Sequence, residues 1–199
     1  DKNEVLVVEG YLDVIRMHES GYENTVATCG TSLTVDHLQF LKRYVERCIT
    51  IFDGDEAGYR ASLRALSIGL EMDMIPYVVF LPEGEDPDTM LLSGREKFEE
   101  LILSPISGFE VLKRDIRKRF DLSSVDGRVK AVEEVKLYLE KVSDPVKRDI
   151  YSRELSTALG IPQGFLLDGV RRDRDKVRIS TTSYPREEIL LSLIHISEP

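Results

Sequence analysis

Cysteine is scarce in this 199-residue chain, with only Cys29 and Cys48 present. Two thiols cannot build a disulfide framework or a four-thiolate zinc site, so no zinc is expected here. Both read as buried thiols beside strands. The three histidines, His18, His37 and His195, are scattered and none reads as a metal ligand. No apolar run approaches the roughly 18 residues of a membrane helix, so no membrane partner is expected. The opening Asp1-Lys2-Asn3-Glu4 is no secretory signal, and an initiator Met is lacking. The expectation is a cytoplasmic piece cut from a longer chain. Basic charge is also in deficit: 27 Lys and Arg against 36 Asp and Glu, net −9. Taken alone, that argues against a surface that grips DNA or RNA. With 42% apolar and 32% charged residues, the chain reads as globular, with one core or one domain plus an appendage.

The charge is unevenly placed. Residues 1–105 carry 9 basic and 20 acidic side chains, net −11, and residues 106–199 carry 18 and 16, net +2. The acidic half alternates strand and helix signals. Continuous apolar or β-branched runs at Val5–Val8, Thr25–Thr28, Ile49–Phe52 and Ile75–Leu81 predict strands buried on both faces. Between them, Asp13–Glu19, a segment capped by Thr34 and running to about Arg47, and Ala57–Met72 predict helices. This βαβαβαβ rhythm predicts an α/β fold with a parallel sheet covered by helices.

The second half, 106–170, predicts a small helical bundle. Phe109, Leu112, Ile116 and Phe120 fall on one helical face, and Val129, Val132, Val135, Leu139 and Val142 on another. Asp144-Pro145 starts a helix carrying Val146, Ile150 and Leu155, and Gly160 ends it. Residues 171–185 read as a linker. Residues 186–199 begin a further amphipathic helix, either the start of a C-terminal region or a tail appended to the natural chain.

In a parallel α/β sheet, ligands bind beyond the carboxyl ends of the strands. Glu9-Gly10 follows the first predicted strand, Gly30-Thr31 the second, Asp53-Gly54-Asp55-Glu56-Ala57-Gly58 the third, and Glu83-Gly84-Glu85-Asp86-Pro87-Asp88 the fourth. Unpaired carboxylates brought together repel, whereas Mg²⁺ or Mn²⁺ binds through carboxylate oxygens. Asp53/Asp55 and Asp86/Asp88 repeat an Asp-x-Asp spacing that can aim two side chains at one ion. The plainer readings are an Asp-Gly-Asp loop, an Asp88 helix cap and an exposed Glu9. Their conjunction at successive strand ends favours a metal site of the kind used in phosphoryl and nucleotidyl transfer.

These segments, with Val7-Val8-Glu9-Gly10-Tyr11-Leu12-Asp13, Gly30-Thr31-Ser32 and Leu81-Pro82-Glu83-Gly84-Glu85-Asp86-Pro87-Asp88, resemble the toprim domain of bacterial DnaG-type DNA primases over about residues 4–103. The stretch 106–170, including Asp144-Pro145-Val146-Lys147-Arg148, is similar to the helical subdomain that follows toprim in that family. The resemblance implies a toprim domain at 1–105 and the helical subdomain of an RNA polymerase domain at 106–170. It implies a catalytic role for Glu9, Asp53 and Asp55, with metal held by Glu9, Asp53, Asp55, Asp86 and Asp88. Gly10, Gly30, Thr31, Gly54, Gly58 and Arg60 would shape the loops or meet nucleotide, with Arg60 and Arg64 facing either phosphate or surface acids. The implied activity is metal-dependent nucleotidyl transfer, making short RNA primers at bacterial replication forks. The implied partners are a single-stranded DNA template, ribonucleoside triphosphates, the RNA primer and a replicative helicase. The helicase would bind through a C-terminal domain at most begun after Pro185. The family's zinc-binding domain and basic subdomain are missing, so weak activity or none is expected of this piece alone. Two other readings stay open. One is a toprim nuclease or topoisomerase-like enzyme, for which Tyr11, Tyr44 or Tyr59 would be the tyrosines to weigh. The other is a non-catalytic metal- and nucleotide-binding module.

Overall fold

The computed structural model describes residues 3–30 and 32–170. Thr31, the expected linker at 171–185 and the expected helix after 186 lie outside the described residues. The chain divides into two compact units, with the boundary between Gly108 and Phe109.

The first unit is built on a sheet of order β2-β1-β3-β4-β5. β1 (Glu4–Val8), β2 (Thr25–Ala27), β3 (Arg47–Phe52) and β4 (Tyr77–Phe80) are parallel. β5 (Ile106–Ser107) closes the edge antiparallel to β4, making the sheet mixed rather than purely parallel. Two residues are too few to show a strand periodicity, so β5 left no sequence signal.

α1 (Tyr11–Glu19) carries the chain from β1 to β2 on one side, and α3 (Glu56–Glu71) carries it from β3 to β4 on the other. Right-handed crossovers running in opposite directions place their helices on opposite faces. Accordingly, Val14 and Met17 of α1 join Leu6, Val8, Ile49 and Ile51 in one cluster. Met90 of α4 (Pro87–Ser93) and Phe98 and Ile102 of α5 (Arg95–Leu103) complete it. α3 packs against β3, β4 and α2 (Val35–Leu41), with Ala65, Leu66 and Leu70 buried.

α2 stops at Leu41 rather than running to Arg47. Glu46 and Arg47 donate their amides to the Asn3 carbonyl at 3.0 and 3.2 Å, so the chain is already entering β3 beside β1.

In the second unit, α7 (Val125–Leu139) is capped by Ser124 and α8 (Pro145–Leu159) by Asp144, and Gly160 ends α8 with φ 66°. α9 (Gln163–Leu167) packs against both. α6 (Gly108–Arg119) buries Phe109, Leu112 and Ile116, the face its periodicity predicted. On α7 the buried face is Gly127, Ala131, Val135 and Leu139, and Val129 is exposed. On α8, Ser152, Leu155 and Leu159 are buried, and Val146 and Ile150 are exposed, contrary to the sequence reading.

Candidate functional site

The two helix connections leave β1 and β3 in opposite directions. The crevice between the carboxyl ends of these neighbouring strands is therefore the topological switch point of the sheet, where open α/β folds bind ligands. Glu9 follows β1 and Asp53 follows β3, so they stand on its two sides. Backbone hydrogen bonds fix this rim. Cys29 donates its amide to the Glu9 carbonyl at 3.0 Å, and Leu81 donates to the Phe52 carbonyl at 2.9 Å. The strand ends are thus tied to their neighbours just where the acidic loops begin.

A cleft of about 630 Å³ opens there, lined on its acidic side by Glu9, Asp13, Asp53 and Asp86. Asp13 is the residue that sequence reasoning missed. It looked like the first residue of a helix, yet α1 starts two residues earlier. Its carboxylate accepts the Gly10 amide at 2.9 Å. The available signal was its place four residues after Glu9 in an acid-ended strand loop.

Mutual repulsion marks these carboxylates. Burial, then Asp53, Asp13 and Asp55, hold the Glu9 carboxyl above its ordinary range. Burial raises Asp13 against the opposing Gly10 hydrogen bond, with Asp86, Asp53 and Asp88 adding to the rise. Burial, Asp55 and Asp86 raise Asp53. In each case deprotonation is disfavoured first by partial desolvation and then by the negative charges beside it, which have too little counter-charge to offset them.

Asp55 and Asp86 also serve as helix caps. Asp55 accepts the Gly58 amide at 2.7 Å at the start of α3, and Asp86 accepts the Thr89 amide at 2.8 Å at the start of α4. The cap of α4 is therefore Asp86, not Asp88. Asp88 is ion-paired with Arg16 of α1. Among the described residues, no three His, Cys, Asp or Glu side chains stand close enough together to hold an ion. The donor chemistry nevertheless suits a hard divalent cation: the cluster is all carboxylate, and each capping carboxylate keeps lone pairs beyond the one its amide uses.

The glycines serve the backbone. Gly30 lines the cleft with φ +79°, a left-handed conformation that glycine adopts without strain. A Cβ at Gly54 would collide with the Leu81 carbonyl oxygen, and one at Gly58 with the Asp53 carbonyl oxygen. Gly10 lines the cleft above Asp13. Arg60 lies 3.9 Å from Glu56 in an exposed pair, while Arg64 lines the cleft. Tyr11 and Tyr44 are exposed, and Tyr59 stacks on Phe80 with ring centroids 5.8 Å apart. Cys48 is buried, which pushes its thiol up to about 12, whereas Cys29 is only partly covered.

Carboxylates at successive strand ends of a β2-β1-β3-β4 parallel core define a toprim domain, and a toprim-like family model matches residues 6–91. A second model, the DnaB-helicase binding domain of primase, matches residues 109–164. That match falls on the helical unit, where the sequence reading had placed helicase contact after Pro185. The chain belongs with the bacterial DnaG-type DNA primases, as a fragment of one. The DNA primase of Escherichia coli is 37% identical over 172 residues, 81% of this chain and 28% of that protein. The DNA primase of Clostridium acetobutylicum is 31% identical over 86% of this chain and 29% of that protein. The one from Aquifex aeolicus is 30% identical over 96% and 37%. Among solved structures, a DnaG catalytic core superposes with a TM-score of 0.73 at 36% identity, covering 80% of this chain and 53% of that one. A DNA primase domain from Pseudomonas aeruginosa gives 0.74 at 32% identity over 82% and 52%. A DnaG catalytic domain bound to single-stranded DNA gives 0.72 at 36% identity over 80% and 51%. The chain thus spans about a third or less of the curated relatives quoted and about half of the solved chains. Among the described residues, no helix is long and apolar enough to cross a membrane.

Proposed function

We propose that this chain forms the metal-binding part of a nucleotidyltransferase centre that synthesises short RNA primers on single-stranded DNA. The observation that carries this reading is the meeting of Glu9, Asp13, Asp53 and Asp86 in one cleft at the switch point of a toprim sheet. Glu9, Asp53, Asp55, Asp86 and Asp88 are the residues that would hold Mg²⁺ or Mn²⁺. When bound, such ions neutralise phosphate charge and lower the pKa of an attacking hydroxyl. The reaction is attack of the primer 3′-hydroxyl on the α-phosphorus of a ribonucleoside triphosphate, with release of pyrophosphate. Glu9 is suited to accept the hydroxyl proton, since its surroundings favour the protonated carboxyl. Asp13 holds the Gly10 amide and so fixes the loop that presents Glu9. Asp55 and Asp86 are fixed by their own helices. The helical unit, with its helicase-binding family match, is the part that would meet a replicative helicase, and the place of action is the replication fork in the bacterial cytoplasm.

Titration of Mn²⁺ against the wild-type chain and an Asp53→Asn/Asp55→Asn double variant, followed by electron paramagnetic resonance, tests the centre. The expected result is saturable binding that the double variant loses. Equal binding by both would sink the assignment.

A further inference from the structure

One wall of the cleft differs from the rest. Ala57, Ala61, Arg64 and Ala65 of α3 line it beside the carboxylates. These positions, at i, i+4, i+7 and i+8, share one helical face. Arg64 is the one cationic side chain among the residues that line the cleft. Arg60, one turn earlier, is engaged with Glu56, and Arg16 is engaged with Asp88 and Glu19. Among the described residues, Arg64 makes no ion pair or hydrogen bond, although four carboxylates line the same cleft.

We infer that Arg64 binds the phosphate chain of a nucleotide in the cleft. This deepens the function proposed above and rests on it. Side chains on a helix lean toward its N-terminus, so Arg64 leans over Ala61 and Ala57 toward the end of the helix that Asp53 and Asp55 begin. The small alanine side chains at 57 and 61 leave room along this face of the cleft. A carboxylate ligand would be repelled from this cleft, and a bare cation would not need the arginine. A polyphosphate suits both walls, with its charge shared between cations on the acidic side and a planar donor on the other.

The test uses the chain as it stands and two probes. Electron paramagnetic resonance reads Mn²⁺ alone, and a fluorescent ribonucleoside triphosphate reads nucleotide in saturating Mn²⁺. Arg64→Ala should weaken the triphosphate about tenfold or more, the loss of one charge-assisted hydrogen bond. It should leave the melting temperature unchanged and should not weaken Mn²⁺ binding, since removing a positive charge from the cleft favours a cation. Arg64→Lys should lose less, because a point charge still attracts phosphate. Lys97→Ala, at an exposed position of α5, removes the same formal charge away from this cleft and should change neither reading. Unchanged triphosphate affinity in a folded Arg64→Ala variant overturns the inference. So does an equal loss in Lys97→Ala, or a wild type that binds Mn²⁺ but no triphosphate. A wild type that binds no Mn²⁺ sinks the metal-centre reading itself, and this inference with it.

Discussion

Arg16 of α1 is ion-paired with Asp88 of α4, and its other guanidinium edge holds Glu19 at 3.0 Å. An expected metal ligand is therefore occupied by a cation that the protein itself supplies. The pair is partly open to water, and such pairs add little to folding stability. Its effect should instead be on ion binding. Arg16→Ala removes both a competitor for Asp88 and a positive charge near the cleft, and both changes favour a bound cation. The Mn²⁺ affinity should rise, by no more than about fivefold, with the melting temperature nearly unchanged. Weaker Mn²⁺ binding in the variant would show that Arg16 positions Asp88 rather than competing for it.

Asp53 illustrates a site that is costly to keep. Its carboxyl is raised in the folded chain, so the native state favours the proton more than the unfolded state does. Stability contributed by that proton is present below the ordinary carboxylate range and lost as pH rises through the folded value. At neutral pH without divalent ions, Asp53→Asn should raise the melting temperature by about 2 °C. Adding Mn²⁺ should then stabilise the wild type and have little effect on the variant. A lower melting temperature for metal-free Asp53→Asn would contradict the repulsion described here.

His37 has the opposite sign. It is buried at the start of α2, where its Nδ1 accepts the Thr34 amide at 3.3 Å. Burial pulls its pKa below 6.5, against a smaller opposing effect of Asp36. The neutral ring contributes stability above the ordinary imidazole value, and that stability is lost as pH falls through the depressed folded value. Urea unfolding between pH 5 and pH 8 should show a flatter acid limb for His37→Gln than for the wild type. Identical limbs would rule His37 out as the cause.

Gly58 makes the most demanding prediction for the fold. A methyl group there meets the Asp53 carbonyl oxygen, in the turn that aims the acidic loop. Gly58→Ala should cost about 2 kcal/mol or more in denaturant unfolding and weaken Mn²⁺ binding along with it. Gly164→Ala, where a Cβ would meet nothing within 4 Å, is the control and should leave Mn²⁺ binding unchanged.

Much of the first unit was legible because two independent signals agreed. Runs such as Val5–Val8 specify doubly buried strands, and the carboxyl-end rule then says where Glu9 and Asp53 must point. What escaped had local causes. Asp13 reads as a helix start, and only its place four residues after Glu9 marks it as a cleft residue. The end of α2 is set by pairing of Arg47 with Glu4 across the sheet, which no window around Leu41 contains. The α7 face was misjudged because Gly127 and Ala131 are counted as weakly apolar or not at all. Their small size is nonetheless what buries them: a Cβ at Gly127 would strike the Asp121 carbonyl oxygen. On α8, apolar Val146 and Ile150 look like core by type yet lie on the exposed side.

The double duty of Asp55 and Asp86 has a consequence for timing. Each carboxylate is immobilised by an amide at the first turn of its own helix, so its rotational freedom is lost when the protein folds. If these carboxylates hold an ion as proposed, it would meet donors that are already oriented, and its departure would leave them where they were. On the proposed metal role, loading and release would then proceed without remaking the loops, because the helix starts keep the donor arrangement in the empty protein.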